Sequence, residues 1–338
     1  MSRRVAVLGA TGLVGRTTLA ILEQRRFPLD TLVPLASERS ASRSVRFRGS
    51  DVPVQPVSEQ AFAGVSLALF ATSAELSRRW APVARAAGAT VVDNSSAFRM
   101  DPAVPLVVPE VNGALLDARP GLVANGNCVA IPLVLSLAPL ARLARLERVV
   151  LASYQSVSGA GLESLEELER GVRAGLEGPP PPRTGDKPPF AFNVLPAIDR
   201  FDAEGWTGEE RKIVQETRRM LDRPDLGVTP TAVRVPVRIG HSAAVVATFD
   251  RPVDPVAARE AWRDFPGLAV VDEPEHERVP TPLAVEGRDE VLVGRARRDP
   301  SEARALVYFF ASDNLRKGAA LNAVQIAERL VGTAVGSR

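Results

Sequence analysis

Arg4-Val5-Ala6-Val7-Leu8, followed by Gly9-Ala10-Thr11-Gly12-Leu13-Val14-Gly15, is the stretch on which the fold turns. A short apolar run, three glycines at intervals of three, and then Leu19, Ile21 and Leu22 read as strand, tight turn and helix. The amides of such a turn are able to approach a pyrophosphate, and the helix N-terminus favours its negative charge. Three glycines alone would also suit a plain tight turn. The flanking strand and helix favour a dinucleotide site over Gly9, Thr11, Gly12, Leu13 and Val14.

Outward from this turn, apolar runs at Leu32–Ala36, Leu67–Ala71 and Thr90–Val92 alternate with helical patterns such as Ser77–Ala87. That alternation predicts a parallel sheet with helices on both faces. The second strand runs into Ser37-Glu38-Arg39-Ser40. In such folds an acidic residue here accepts from a ribose 2′-hydroxyl, whereas arginine accommodates a 2′-phosphate. Arg39 between two hydroxyls points to NADP, Glu38 points the other way, and a plain solvated turn stays open.

The texture changes after about residue 147. RVVLASYQSV (148–157) reads as a strand entering a Ser/Gly turn, and ESLEELERGVRAGL (163–176) has helical spacing. Prolines crowd residues 178–189, which predicts a loop, and strand-like runs follow at 231–239, 243–249 and 291–297. KGAALNAVQIAERLVG (317–332) is an amphipathic terminal helix.

A chain of 338 residues is long enough for two domains, and 45% hydrophobic with 24% charged residues is the balance of a globular protein. A net charge of +2 makes no basic patch, and 5% aromatic residues leave little for bases to stack on, so nucleic-acid binding is disfavoured. The run Val129–Ala141 is interrupted by Pro132, Ser136 and Pro139 and is too short to span a bilayer. With Cys128 as its single cysteine, the chain has no intramolecular disulfide and no multi-cysteine metal site, which fits a reducing, cytoplasmic setting.

Cys128 follows Asn125-Gly126-Asn127 and precedes an apolar helical run, so its sulfur stands where a helix dipole would stabilise a thiolate. The alternative is a small buried hydrophobe. His241 is a candidate acid or base, or else a satisfied histidine at a strand end; His276, between two glutamates, reads as solvated.

GATGLVG (9–15), ASERS (36–40), DNSSAFRM (93–100), GNC (126–128), SYQSVSGAG (153–161), FNVLPAID (192–199), EERK (209–212), RVPVRIGHS (234–242) and DNLRKGAALNAVQIAE (313–328) occur in this order. In these motifs the chain resembles the aspartate-β-semialdehyde dehydrogenases along essentially its whole length. The resemblance implies an α/β protein with a Rossmann-type NADP-binding domain over residues 1–127, completed by a C-terminal helix at 314–334. It also implies an α+β catalytic and dimerisation domain over 128–313 with a mixed sheet, assembled as a homodimer or dimer of dimers. The implied reaction is NADPH-dependent reductive dephosphorylation of aspartyl-4-phosphate to aspartate-4-semialdehyde, serving lysine, threonine and methionine biosynthesis. Cys128 matches the nucleophile, His241 the acid/base, and Gln155 the residue orienting the substrate. Arg234 matches the clamp on the substrate α-carboxylate, Glu209 the partner of its amino group, and Arg99 with Lys212 the phosphate pair. Cofactor contacts map onto Thr11–Val14, Ser37, Arg39, Ser40, Asn94, Ser158, Gly159 and Asn314.

The chain departs from the family pattern at several positions. Gly126 replaces a proline, Val129 a hydroxyl residue and Ala197 a histidine, while Thr72-Ser73-Ala74 stands for Ala-Gly-Gly near the cofactor, with Glu75 next. Side chains at Ser73 and Ala74 would crowd a nucleotide. Two alternatives follow: an N-acetyl-γ-glutamyl-phosphate type of reductase, and a silent paralogue acting as a nucleotide-binding partner.

Overall fold

A computed structural model describes residues 3–183 and 187–332. The chain divides into two compact units, the first reaching Asn127 and taking in the segment from Ala319 onward, the second running from Cys128 to Gly318.

The first unit contains β1 (Arg4–Leu8), α1 (Leu13–Gln24), β2 (Thr31–Ala36), β3 (Ser44–Phe47), β4 (Ser50–Pro53), β5 (Gln55–Pro56) and β6 (Leu67–Phe70). It continues with α2 (Ala74–Ala86), β7 (Thr90–Asp93), β8 (Leu106–Val107), α3 (Pro109–Asn112) and β9 (Leu122–Asn125). Seven strands form a wholly parallel sheet in the order β5-β2-β1-β6-β7-β9-β8, while β3 and β4 make a separate hairpin. Because β2 and β6 pair on opposite sides of β1, the strand order reverses there, which is where doubly wound sheets leave a crevice at their carboxyl ends. The glycine turn after β1 lies at that end.

α2 begins three residues earlier than the periodicity predicts, because the Ser73 hydroxyl accepts from the Leu76 amide as an N-cap. A residue that departs from the family pattern thus has a local structural task.

The second unit contains α4 (Ala130–Ala141), β10 (Leu146–Gln155), α5 (Leu162–Gly175), α6 (Gly208–Met220), β11 (Gly227–Arg234), β12 (His241–Phe249) and α7 (Pro255–Arg263). β13 (Leu268–Val270), α8 (Pro282–Val285), β14 (Val291–Arg298) and β15 (Ala305–Ser312) complete it. Its six-stranded sheet is mixed, in the order β11-β10-β12-β15-β14-β13, with β10–β11 and β13–β14 parallel and the rest antiparallel. The strand predicted at 231–239 instead ends at Arg234. Pro236 has no N–H to continue the ladder, and the Val237 amide turns back to the Val235 carbonyl.

Alternate residues of β10 and β12 point into the core, Val149, Leu151 and Ser153 on one and Ala243, Val245 and Ala247 on the other. The opposite face carries Val150 beside Val246, Val246 beside Val307, and Tyr154 stacked on Phe309 with ring centroids 6.2 Å apart. These apolar side chains are half-buried or exposed.

Past Ser312 the chain makes a π-helical turn, Arg316–Ala320, and then α9 (Leu321–Leu330), whose buried face joins the core of the first unit. Positions 333–334 of the expected helix, and 184–186 of the proline-rich loop, lie outside the described residues. Among the described residues no helix is long and apolar enough to cross a membrane.

Candidate active site

In the first unit, Gly9 has φ +85°, and a Cβ there would drive into the Ala71 carbonyl; a Cβ on Gly15 would strike the backbone of Gly9. Both must be glycine for the turn to close. Gly12 differs, because its side-chain direction is open apart from the Gly9 carbonyl oxygen 3.5 Å away. It is the N-cap of α1, with no side-chain cap and no acidic residue in the first turn. A helix N-terminus with bare amides and an unobstructed approach fits a pyrophosphate. Ser37, Glu38 and Arg39 are exposed at the carboxyl end of β2, with Ser40 half-buried.

Asn94 follows β7. Its Nδ2 donates to the Phe70 carbonyl and its Oδ1 accepts from Asn125 Nδ2 at 2.7 Å. Arg99 is buried, its Nε and Nη2 donating to the carbonyls of Asn125 and Asn94 at 2.8 and 2.7 Å. At least two of the donors expected for phosphate therefore hold the loops after β7 and β9.

The second unit brings most of the expected site residues to one end of its mixed sheet. Gln155 and Arg234 end their strands as register partners in the parallel pair β10–β11, and His241 opens β12. Cys128, half-buried, precedes the N-terminus of α4, where Val129 supplies no side-chain cap. A Cβ on Gly318 would come within 3.2 Å of Cys128 Cβ, so Gly318 packs directly on the thiol-bearing residue.

Gln155 Nε2 donates to Ser153 Oγ at 3.2 Å and to Glu209 Oε1 at 3.3 Å. Glu209 sits in the first turn of α6 beside Glu210, and the two are told apart by their bonds. Glu210 completes a capping box with Thr207 and accepts the Ala232 amide at 3.0 Å, so it is structural. Glu209 Oε2 accepts from Lys212 Nζ at 3.1 Å, and Asp199 Oδ2 lies 3.0 Å from the same ammonium. Burial draws the Lys212 pKa down, but the two carboxylates outweigh it and hold the pKa above its ordinary value. Asp199 was not singled out by its sequence. It lies in the motif where Ala197 replaces the family's histidine, has a positive φ of 74°, and keeps its half-exposed carboxylate on the Lys212 ammonium.

Arg234 is buried and donates from Nη1 to the Ser156 carbonyl at 2.6 Å. Burial lowers its pKa, and negative charge at Cys128 and at Glu209 counters this, which couples the guanidinium to both. His241 is fully buried. Its Nδ1 accepts from the Ser156 amide at 3.0 Å, while its Nε2 has no hydrogen-bond partner among the described residues. Gly159 lies so close that a Cβ on it would stand 3.0 Å from His241 Nε2 and 3.1 Å from Arg234 Nη1. Ser158 Oγ accepts from Asn314 Nδ2 at 3.0 Å, so the side chains of two residues expected at the cofactor hydrogen-bond each other.

Burial, and then the Arg234 charge, push the His241 pKa well below its ordinary value. The unfolded chain then binds the extra proton first, so stability falls as pH drops below the unfolded pKa of about 6.5. The expected slope from this residue is ~1.4 kcal/mol per pH unit until the folded-state pKa is passed. Urea denaturation of wild type and His241→Gln between neutral and acid pH measures it, and equal slopes would exclude a depressed pKa.

The chain is similar to known proteins along nearly its whole length. Residues 4–118 match the semialdehyde dehydrogenase NAD binding domain and 137–317 the semialdehyde dehydrogenase dimerisation domain. The chain is 45% identical over 335 residues to the aspartate-semialdehyde dehydrogenase of Aquifex aeolicus, covering 98% of each. It is 43% identical to the Bacillus subtilis enzyme of that name, covering 96% of each. Its structure superposes with a TM-score of 0.94, at 41% identity and 99% coverage of both chains, on aspartate semialdehyde dehydrogenase II from Vibrio cholerae complexed with ASA. A cysteine just before a helix, a buried histidine and a buried arginine that both lie against Gly159, and a paired glutamate and lysine thus sit in a chain that belongs to the aspartate-semialdehyde dehydrogenase family.

Proposed function

We propose that the chain carries out NADPH-dependent reductive dephosphorylation of L-aspartyl-4-phosphate to L-aspartate-4-semialdehyde, through a thioester on Cys128. The observation carrying this reading is the gathering of Gln155, Arg234 and His241 at one end of the mixed sheet, with Glu209 hydrogen-bonded to Gln155 and paired with Lys212. An amino acid with an activated side chain presents a carboxylate, an ammonium and an acyl phosphate. Arg234 suits the planar carboxylate, Glu209 the ammonium and Lys212 the phosphate, with Arg99 as a further cation for that group. The Cys128 sulfur attacks the acyl carbon, the C–O bond to phosphate breaks, and Gln155 orients the acyl group. When bound, the nicotinamide supplies the hydride that takes the thioester to the aldehyde level.

Purified protein given aspartate semialdehyde, NADP and phosphate forms NADPH. A higher kcat/KM with N-acetylglutamate semialdehyde in a paired assay would transfer the assignment to the related reductase, and no turnover of either would remove it.

Arg39, exposed after β2 between the hydroxyls of Ser37 and Ser40, would receive the 2′-phosphate of NADP. One charge-assisted contact is worth ~1.5–3 kcal/mol, so Arg39→Ala lowers the preference for NADP over NAD by about tenfold or more. Fluorescence titration with both cofactors reads this, and an unchanged ratio would show that Arg39 does not select the cofactor.

The protein acts in the cytoplasm, consistent with its single cysteine. It works as a homodimer through the open sheet face of β10, β12 and β15. Val246, which neighbours both Val150 and Val307, lies near the middle of that face. Val246→Asp buries an unpaired carboxylate in such an interface, and light scattering is expected to show a monomer. A dimer that persists would move the interface elsewhere.

A further inference from the structure

Asn322 stands fully buried in the first turn of α9, beside Ala323, Val324, Ile326 and Ala327 of the first unit's core. A buried carboxamide is costly unless its polar atoms are met. Asn322 Nδ2 donates to the Val107 carbonyl at 2.9 Å and to Asn125 Oδ1 at 2.6 Å. Asn125, equally buried at the end of β9, spends its own N–H groups on the Ala319 carbonyl at 3.0 Å and on Asn94 Oδ1 at 2.7 Å. Asn94 Nδ2 then donates to the Phe70 carbonyl at 2.7 Å.

The carbonyls of Val107, Ala319 and Phe70 each fix the nitrogen end of one side chain, since a carbonyl accepts and cannot donate. All three carboxamides therefore point the same way, donating from α9 to β9, from β9 to the loop after β7, and from there to β6. Turning Asn125 round would set its oxygen against the Ala319 carbonyl and Asn94 Oδ1, both acceptors. The order at α9 thus dictates the order at Asn94. One N–H of the relay is left over: the second on Asn94, which is half-buried and has no partner for it among the described residues.

The sheet order says which part of a dinucleotide that N–H meets. The pyrophosphate belongs at the glycine turn after β1 and the 2′-phosphate after β2, whereas β6 and β7 lie on the other side of β1. A dinucleotide laid across the switch point puts its nicotinamide half on that side, where Asn94 follows β7. The carboxamide and ribose oxygens of that half are acceptors.

We propose that Asn322 is a positioning residue that acts through Asn125 to hold the Asn94 amide as a donor to the nicotinamide half of the cofactor. The contact rests on the NADP reading above; the order of the amides does not. Arg99 separately holds the backbone at both loops, through the carbonyls of Asn125 and Asn94, so a change at position 322 turns amides without releasing the loops.

Asn322→Asp is nearly isosteric, and an ionised carboxylate accepts where the amide donated. Asn125 must then turn its nitrogen toward position 322, which sets two oxygens face to face at Asn94. Calorimetric titration at about pH 9, where even a buried carboxyl is ionised, compares NADPH with 2′-phospho-ADP-ribose, which lacks the nicotinamide. The Kd for NADPH is expected to rise about threefold to tenfold, the size of one hydrogen bond, while 2′-phospho-ADP-ribose binds as it does to wild type. In an Asn94→Ala background, already without the donor, Asn322→Asp should add nothing to the NADPH Kd. Equal losses for both ligands would make Asn322 a structural residue and overturn the proposal. An unchanged NADPH Kd, or the full further loss in the Asn94→Ala background, would overturn it too. If Asn322→Asp does not fold, Asn322→Leu removes the donor without adding charge and is judged by the same titrations. A wild type that binds neither ligand would overturn the cofactor reading and this proposal with it. One that gives the expected affinities but oxidises no semialdehyde would count against the assigned reaction only.

Discussion

Cys128→Ser is expected to reduce NADPH formation from aspartate semialdehyde, NADP and phosphate by ~10⁴-fold or more, as removal of a covalent nucleophile does elsewhere. Serine is nearly isosteric, so the packing of Gly318 against position 128 and the start of α4 are preserved. The loss is chemical, because a hydroxyl does not ionise under the conditions that give a thiolate. Neither Arg234 nor the helix dipole is a strong enough partner to change that. Cofactor affinity should be unchanged, since residue 128 is none of the expected cofactor contacts and serine keeps its packing, and fluorescence titration provides that control. Variant activity within tenfold of wild type would show that the thiol is not the nucleophile, and the thioester would go with it.

The two units were legible to different degrees, for physical reasons. The strand, glycine turn and helix at 4–24 could be read locally, because the Gly9 conformation and the apolar period are both sequence properties. The end of β11 was overrun, since apolar alternation continues past Arg234 and only Pro236 marks the break. Glu209 and Glu210 look alike in the motif EERK. The signal that separates them is Thr207, three before Glu210, which spells a capping box and assigns that glutamate to the helix end. Ser156 had no signal, because its amide and hydroxyl meet His241 and Asn314 only once β10, β12 and the segment after β15 are brought together. The same holds for Arg99, whose bonds to two carbonyls depend on how the loops after β7 and β9 meet. Pairings such as Gln155 with Arg234 belong to sheet register, which no local pattern in either strand reveals.

Arg234→Lys is the second large effect expected, ~10³-fold in kcat/KM for the semialdehyde, although the charge is conserved. The guanidinium spends Nη1 on the Ser156 carbonyl and still has a fork of donors for a carboxylate. An ammonium is a point donor on a flexible stem, and it cannot hold the Ser156 carbonyl and grip a carboxylate bidentately together. Losing two charge-assisted bonds at ~1.5–3 kcal/mol each gives the expected size. Because the positive charge remains beside His241, the ring should stay neutral and the pH profile keep its shape. That separates loss of the fork from loss of the field. Arg234→Gln removes the field as well, so it should also raise the pH midpoint of Cys128 alkylation, to which the guanidinium is coupled. Steady-state kinetics with the semialdehyde and a substrate lacking the α-carboxylate complete the argument. The lysine variant should lose its defect on the truncated substrate, and an equal defect on both would mean that Arg234 supports the loop at Ser156 and does not bind the carboxylate.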